Sequence, residues 1–148
     1  MSSQILYSKV NPDGFICSTE QSVGVDLKTY YDFKIQPNTI EIIATGIYIN
    51  HDPEKGEVSP KNVWYLLKCK SSLAVKGIQI EGGVIDGDYG ISGEYKDEIK
   101  VIMRNNSDKM ISFNKGDKIV QMICLPYIKF IKPQNNKRTG GFGSTGQN

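Results

Sequence analysis

Short apolar segments with β-branched and aromatic residues recur along this chain, and turn-forming residues punctuate them at near-regular intervals. Residues 4–10 alternate well enough to predict an opening strand. Asn11-Pro12-Asp13-Gly14 then makes a turn, since proline presets φ and glycine admits positive φ. After residues 22–27, further strands are predicted over 30–35 and the β-branched run 39–49, with a turn at 36–38. The polar stretch 51–62 reads as a surface loop and 63–69 as a buried strand. Only 71–77 suggests a helix, of one or two turns, with Ser71 as N-cap and Gly77 at its end. A hairpin follows over 82–89, where Asp86-Gly87 is a strong turn signal, then a polar loop over 90–97. Strands over 99–103 and 118–125, the latter entered by a turn at 114–117 and stopped by Pro126, complete the pattern. Many short strands with turn chemistry between them predict an all-β fold, a barrel or a double sheet.

The 148 residues suffice for one domain with a core. No apolar run approaches a membrane span, and the first residues lack a basic-then-apolar targeting pattern. Cys17, Cys69 and Cys124 are odd in number and lie in or beside apolar runs, which predicts reduced core thiols and a cytoplasmic or nuclear compartment. With no Cys-x-x-Cys pair and His51 as the single histidine, a zinc site is excluded. The net charge of +2 hides an asymmetry: after Asp117 there is no acid, but there are Lys118, Lys129, Lys132, Lys137 and Arg138. These basic residues are not interleaved with several aromatics, so a plain nucleic-acid binder is not predicted. Beyond Pro133 there are too few apolar residues to order the chain alone. The division expected is a β domain over 1–133 and a flexible glycine-rich arm over 134–148.

Three segments carry candidate chemistry: Lys70 to Leu73, Gly82 to Tyr89, and Arg138 to Gly146. Together they suit a polyphosphate joined to a small planar base. Phosphates seek backbone N–H groups unshielded by Cβ, hydroxyls and positive charge. The arm offers Gly143, Ser144 and Thr145 with Lys137 or Arg138, and Ser71, Ser72 and Lys70 offer a second set. Phe142, set among glycines, is free to stack on a base. Asp86 can position or deprotonate an attacking water, or it can cap its own turn; the sequence leaves both open. Tyr89 could pack against a sugar. A triphosphate would bring Mg²⁺, which prefers phosphate oxygens and water to a protein cage. Asp26 is then a candidate for holding metal-bound water, and equally a surface or interface carboxylate.

In this order the segments resemble the five motifs of the trimeric deoxyuridine triphosphatases, across nearly the whole chain. Val23-Gly24-Val25-Asp26-Leu27 is similar to the first, Lys70-Ser71-Ser72-Leu73-Ala74 to the second, and Gly83 to Tyr89 to the third. Gly116 to Met122 is similar to the fourth and Gly140 to Gly146 to the fifth. The resemblance implies a distorted jelly-roll barrel that forms a homotrimer, with each arm reaching over a neighbouring site. It also implies hydrolysis of dUTP to dUMP and pyrophosphate, with Mg²⁺. Asp86 would order the water and the 3′-hydroxyl, Ser71 would polarise the leaving bridging oxygen, and Tyr89 would exclude ribose. Gln121 would contact phosphate, Phe142 would cover the uracil, and the backbone of Gly83, Val84 and Ile85 would read its edge.

Three departures stand out. The family pattern carries arginine where this chain has Lys70, and arginine five positions before the phenylalanine, where it has Lys137 followed by Arg138. A lysine keeps the charge but loses the bidentate fork. The links 51–62 and 90–97 are long. A dCTP deaminase resembles the same fold, but those enzymes need a glutamate within the strand after the hairpin, and here Glu98 stands only at its start. A non-catalytic regulator on this fold would not require Asp86 and Tyr89.

Overall fold

The computed structural model describes residues 6–8, 10–49, 51–52, 56–57, 62–89 and 98–130. Strands β1 (Leu6–Tyr7), β2 (Phe15–Ile16), β3 (Val25–Lys28) and β4 (Phe33–Ile35) lead into β5 (Ile40–Ala44), β6 (Tyr48–Ile49) and the short pair β7 (His51–Asp52) and β8 (Gly56–Glu57). After β9 (Val63–Lys68) come the helix α1 (Ser71–Ala74), β10 (Ile78–Glu81), β11 (Val84–Ile85), β12 (Lys100–Asn105), β13 (Ile111–Phe113) and β14 (Lys118–Pro126). The fold is an all-β jelly-roll barrel with one short helix, as the alternating pattern predicts. Its largest sheet runs β11-β9-β14-β3-β2, and a second runs β10-β12-β5. The pairs β13-β4, β1-β6 and β7-β8 complete it, and every pairing is antiparallel.

Period-two patterning explains β12: Val101, Met103 and Asn105 point inward, while Lys100, Ile102 and Arg104 alternate outward. In β14 the successive residues Ile119 and Val120 are both buried. A register shift between Lys118 and Val120 permits this, since a bulge lets neighbouring side chains share a face. Both meet a core of Leu27, Ile35, Ile47, Tyr65, Ile99, Val101 and Met103, capped by the stacked rings of Phe33 and Phe113 with centroids 4.6 Å apart. Buried Asn105 donates to the carbonyls of Ile35 (3.0 Å) and Lys109 (2.7 Å), fixing the bend into β13.

Several expectations are corrected. The run 39–49 is two strands, because the chain leaves the β12 ladder after Ala44 and joins β1 at Tyr48. The strand expected over 30–35 shortens to Phe33–Ile35, and the Tyr31 hydroxyl instead accepts the Ala44 N–H (3.1 Å). The stretch 51–62 is not wholly loop, since it contains the β7-β8 ladder; 53–55 and 58–61 lie outside the described residues, as does 90–97. The N-cap is Lys70 rather than Ser71: the Lys70 carbonyl accepts from Leu73 (3.0 Å) and Ala74 (2.9 Å), and Ser71 is the first helical residue. Cys17 and Cys124 are exposed and Cys69 is half-buried, so none is a fully buried core thiol, though all are free. Cys124 lies near the exposed end of β14 at Pro126, and Cys17 follows the short edge strand β2.

Candidate active site

Asp26, Gln121 and Lys70 meet where β3, β14 and β9 lie side by side, with Ser71 next along the chain. The register sets Asp26 opposite Gln121, and Gln121 opposite Lys68, which places the start of α1 at the end of this row. The Asp26 side chain is 8% exposed. Its Oδ1 accepts from Lys70 Nζ at 2.6 Å, and its Oδ2 from Ser18 Oγ at 2.6 Å, with Lys118 Nζ 3.6 Å away. Burial pushes the carboxyl pKa up, but hydrogen bonds from Lys70 and Ser18 and the charges of Lys70 and Lys118 more than offset it, leaving the group below its ordinary value. Asp26 is therefore a buried, ionised anchor for the lysine beside Ser71, not a surface carboxylate. Ser71 and Ser72 themselves are exposed.

The carboxylate turn occupies the opposite end of the same sheet. Gly83, at φ +96°, carries the chain from β10 into β11, and its carbonyl accepts the Leu67 N–H at 2.8 Å. The hairpin expectation is corrected here: β10 pairs with β12 while β11 pairs with β9, so Gly82 and Gly83 move the chain between sheets. The tight turn lies one residue later than Asp86-Gly87 suggests. Tyr89 N–H donates to the Asp86 carbonyl (3.0 Å), making Gly87 and Asp88 the central pair. Gly87 is required by proximity: a Cβ there would collide with the Val63 carbonyl oxygen. Asp86 is exposed on this turn, as is Val84, with Ile85 half-buried. Tyr89 is buried, and its hydroxyl donates to the Glu98 carbonyl at 2.9 Å. The Glu98 carboxylate is taken by the Gly46 N–H (2.6 Å).

Within one chain these two groups stand apart. Ile85 pairs with Tyr65, so Asp86 lies beside Trp64, four residues along β9 from Lys68. Four residues span roughly 13 Å of strand, and the three strand spacings from β11 to β3 add roughly 14 Å sideways. Asp86 and Asp26 thus stand far apart within one copy, and the start of α1 lies beyond the end of β9 that is farther from Asp86. The arm residues Lys137, Arg138, Phe142, Gly143, Ser144 and Thr145 lie outside the described residues. Among the described residues no group of three or more His, Cys, Asp or Glu is arranged to hold a metal ion, and no helix is long and apolar enough to cross a membrane. Sequence reading misses Ser18 and Lys118 as partners of Asp26, and Glu98 as the partner of Tyr89. Nothing local marks them, since each acts across a sequence gap that only the sheet closes.

The dUTPase family model matches residues 14–146. A deoxyuridine 5′-triphosphate nucleotidohydrolase of Lactococcus lactis is 31% identical over 134 residues, covering 87% of this chain and 85% of that one. The Variola virus protein of the same name is 34% identical over 131 residues, covering 84% and 80%. Among solved structures, the native EIAV dUTPase superposes with a TM-score of 0.67 at 26% identity, over 96% of this chain and 98% of that one. Motif order, sheet and matched length agree, and the chain belongs to the dUTPase family.

Proposed function

We propose that this protein hydrolyses dUTP to dUMP and pyrophosphate by attack of water on the α-phosphorus, which keeps uracil out of DNA and supplies dUMP. The observation that carries the reading is the turn at Asp86. Its carboxylate is exposed while the turn is locked from beneath, by Gly87 against Val63 and by Tyr89 in the core. Such a support holds a base still relative to its substrate, which proximity catalysis needs. Beside it β11 is an edge strand of its sheet among the described residues. Its main chain suits a uracil edge of acceptor, donor and acceptor; cytosine would bury an unpaired donor there, and thymine would press its methyl into the backbone. The fixed ring of Tyr89 forms the wall under the sugar, leaving no space for a 2′-hydroxyl.

The separation of Asp86 from Ser71 supports a homotrimer in which one copy brings the carboxylate turn and another brings Lys70, Ser71, Ser72 and Gln121. In this reading the third copy lays residues 134–148 over both, with Lys137 or Arg138, Gly143, Ser144 and Thr145 on phosphate and Phe142 on the base. The donor set suits Mg²⁺ only as an ion carried on the triphosphate, since no protein cage exists among the described residues. Bound there, the ion would neutralise charge on the phosphates. Asp86 orients the water and takes its proton, and the Ser71 hydroxyl donates to the departing bridging oxygen. An intracellular location suits the three free cysteines. Pyrophosphate release from dUTP, dCTP, UTP and dTTP tests the reading. Turnover of dUTP alone is expected; ammonia released from dCTP, or no turnover of dUTP, would overturn it.

A further inference from the structure

Arginine and lysine meet a carboxylate differently. A guanidinium fork covers both oxygens at once and orients itself, whereas an ammonium is a single point free to swing about one oxygen. In this chain the cation preceding Ser71 is Lys70, and it takes only Oδ1 of Asp26. The second oxygen is filled by the hydroxyl of Ser18, eight residues upstream on the loop after β2. Lys118 Nζ donates to that hydroxyl at 3.3 Å, so a polarised chain runs from Lys118 through Ser18 to Asp26.

Resting on the dUTPase reading, we propose that Ser18 is a positioning residue for the phosphate-facing lysine, standing in for the second arm of an absent guanidinium. The carboxylate torsion of an aspartate is broad, so one ammonium on one oxygen does not fix it. With Oδ2 held by Ser18, the carboxylate plane is set, and Lys70 is directed along a single line. Losing the hydroxyl lets Lys118 draw Oδ2 toward itself from 3.6 Å and turns Oδ1 away from its present place. Lys70 would then meet substrate with a spread of positions, which weakens binding more than it slows chemistry.

The test is a double-mutant cycle on the full-length protein, reading kcat and KM for dUTP and the thermal midpoint. Ser18→Ala is expected to raise KM roughly tenfold, the loss of a hydrogen bond to a charged group, with kcat within about twofold. Ser18→Thr keeps the hydroxyl and is expected to restore KM. In the Lys70→Arg background the guanidinium covers both oxygens, so adding Ser18→Ala is expected to leave KM within about twofold. An unchanged KM in Ser18→Ala, or an equal rise in both backgrounds, overturns the proposal. Should the unmutated protein not turn over dUTP, the dUTPase reading fails by itself. The thermal midpoints then decide the Ser18 inference: a smaller loss from Ser18→Ala beside Lys70→Arg supports it, and equal losses refute it.

Discussion

Gly82 and Gly83 are adjacent and both have positive φ, but the structure assigns them unequal costs. Gly82 sits at φ +62°, within the left-handed region that other residues enter, and an added Cβ would find only Ile102 Cδ1 at 4.0 Å. Gly83 sits at φ +96°, outside that region, and its Cβ would lie 2.8 Å from the Leu67 carbonyl oxygen. Alanine at Gly82 therefore costs about 1 kcal/mol of left-handed strain. At Gly83 the strain is nearer 2 kcal/mol, and relieving the contact must push β11 off β9 and stretch the Leu67–Gly83 hydrogen bond, worth about 1 kcal/mol more. Urea unfolding at fixed protein concentration measures both variants, with the midpoint read at unchanged m. Gly83→Ala is expected to lose about 2 kcal/mol more than Gly82→Ala. Equal losses, or a larger loss at Gly82, would refute the claim that the close approach of β11 to β9 defines this turn.

Asp86→Asn should keep affinity for a non-hydrolysable dUTP analogue by calorimetry and lower kcat by a factor of roughly 10² to 10⁴, the usual worth of a general base. Tyr89→Ala should admit UTP, whereas Tyr89→Phe, which keeps the wall and strips the hydroxyl that donates to the Glu98 carbonyl, should keep the sugar preference and lose about 1 kcal/mol of stability. Deleting residues 134–148 should leave the oligomer intact by light scattering and remove most activity. The Asp26 pKa lies below its ordinary 3.8, so its stabilisation is complete above that pH and fades as pH falls through the lowered value. The melting temperature should thus drop in acid below about pH 4, with a shallower acid limb in Asp26→Asn.

Strand positions were legible wherever one face is buried, as in β12 and β14, because alternation and burial there are one fact seen twice. Ends and partners were not. The break after Ala44 depends on which neighbour the chain pairs with, and no local pattern encodes that. Asp86, Gly87 and Tyr89 stood out through turn chemistry, although Gly87 owes its place to the Val63 carbonyl rather than to its torsion angles. Asp26 was seen, but its partners were not, since Ser18 and Lys118 reach it only through the folding of β2 and β14 against β3.

That the carboxylate turn and the serine helix sit at opposite ends of one sheet has a genetic consequence. In the proposed trimer a defect in either half would injure a centre shared with a neighbour, so two alleles broken at different ends would rebuild one sound centre when co-expressed. Two alleles broken at the same end have nothing to exchange.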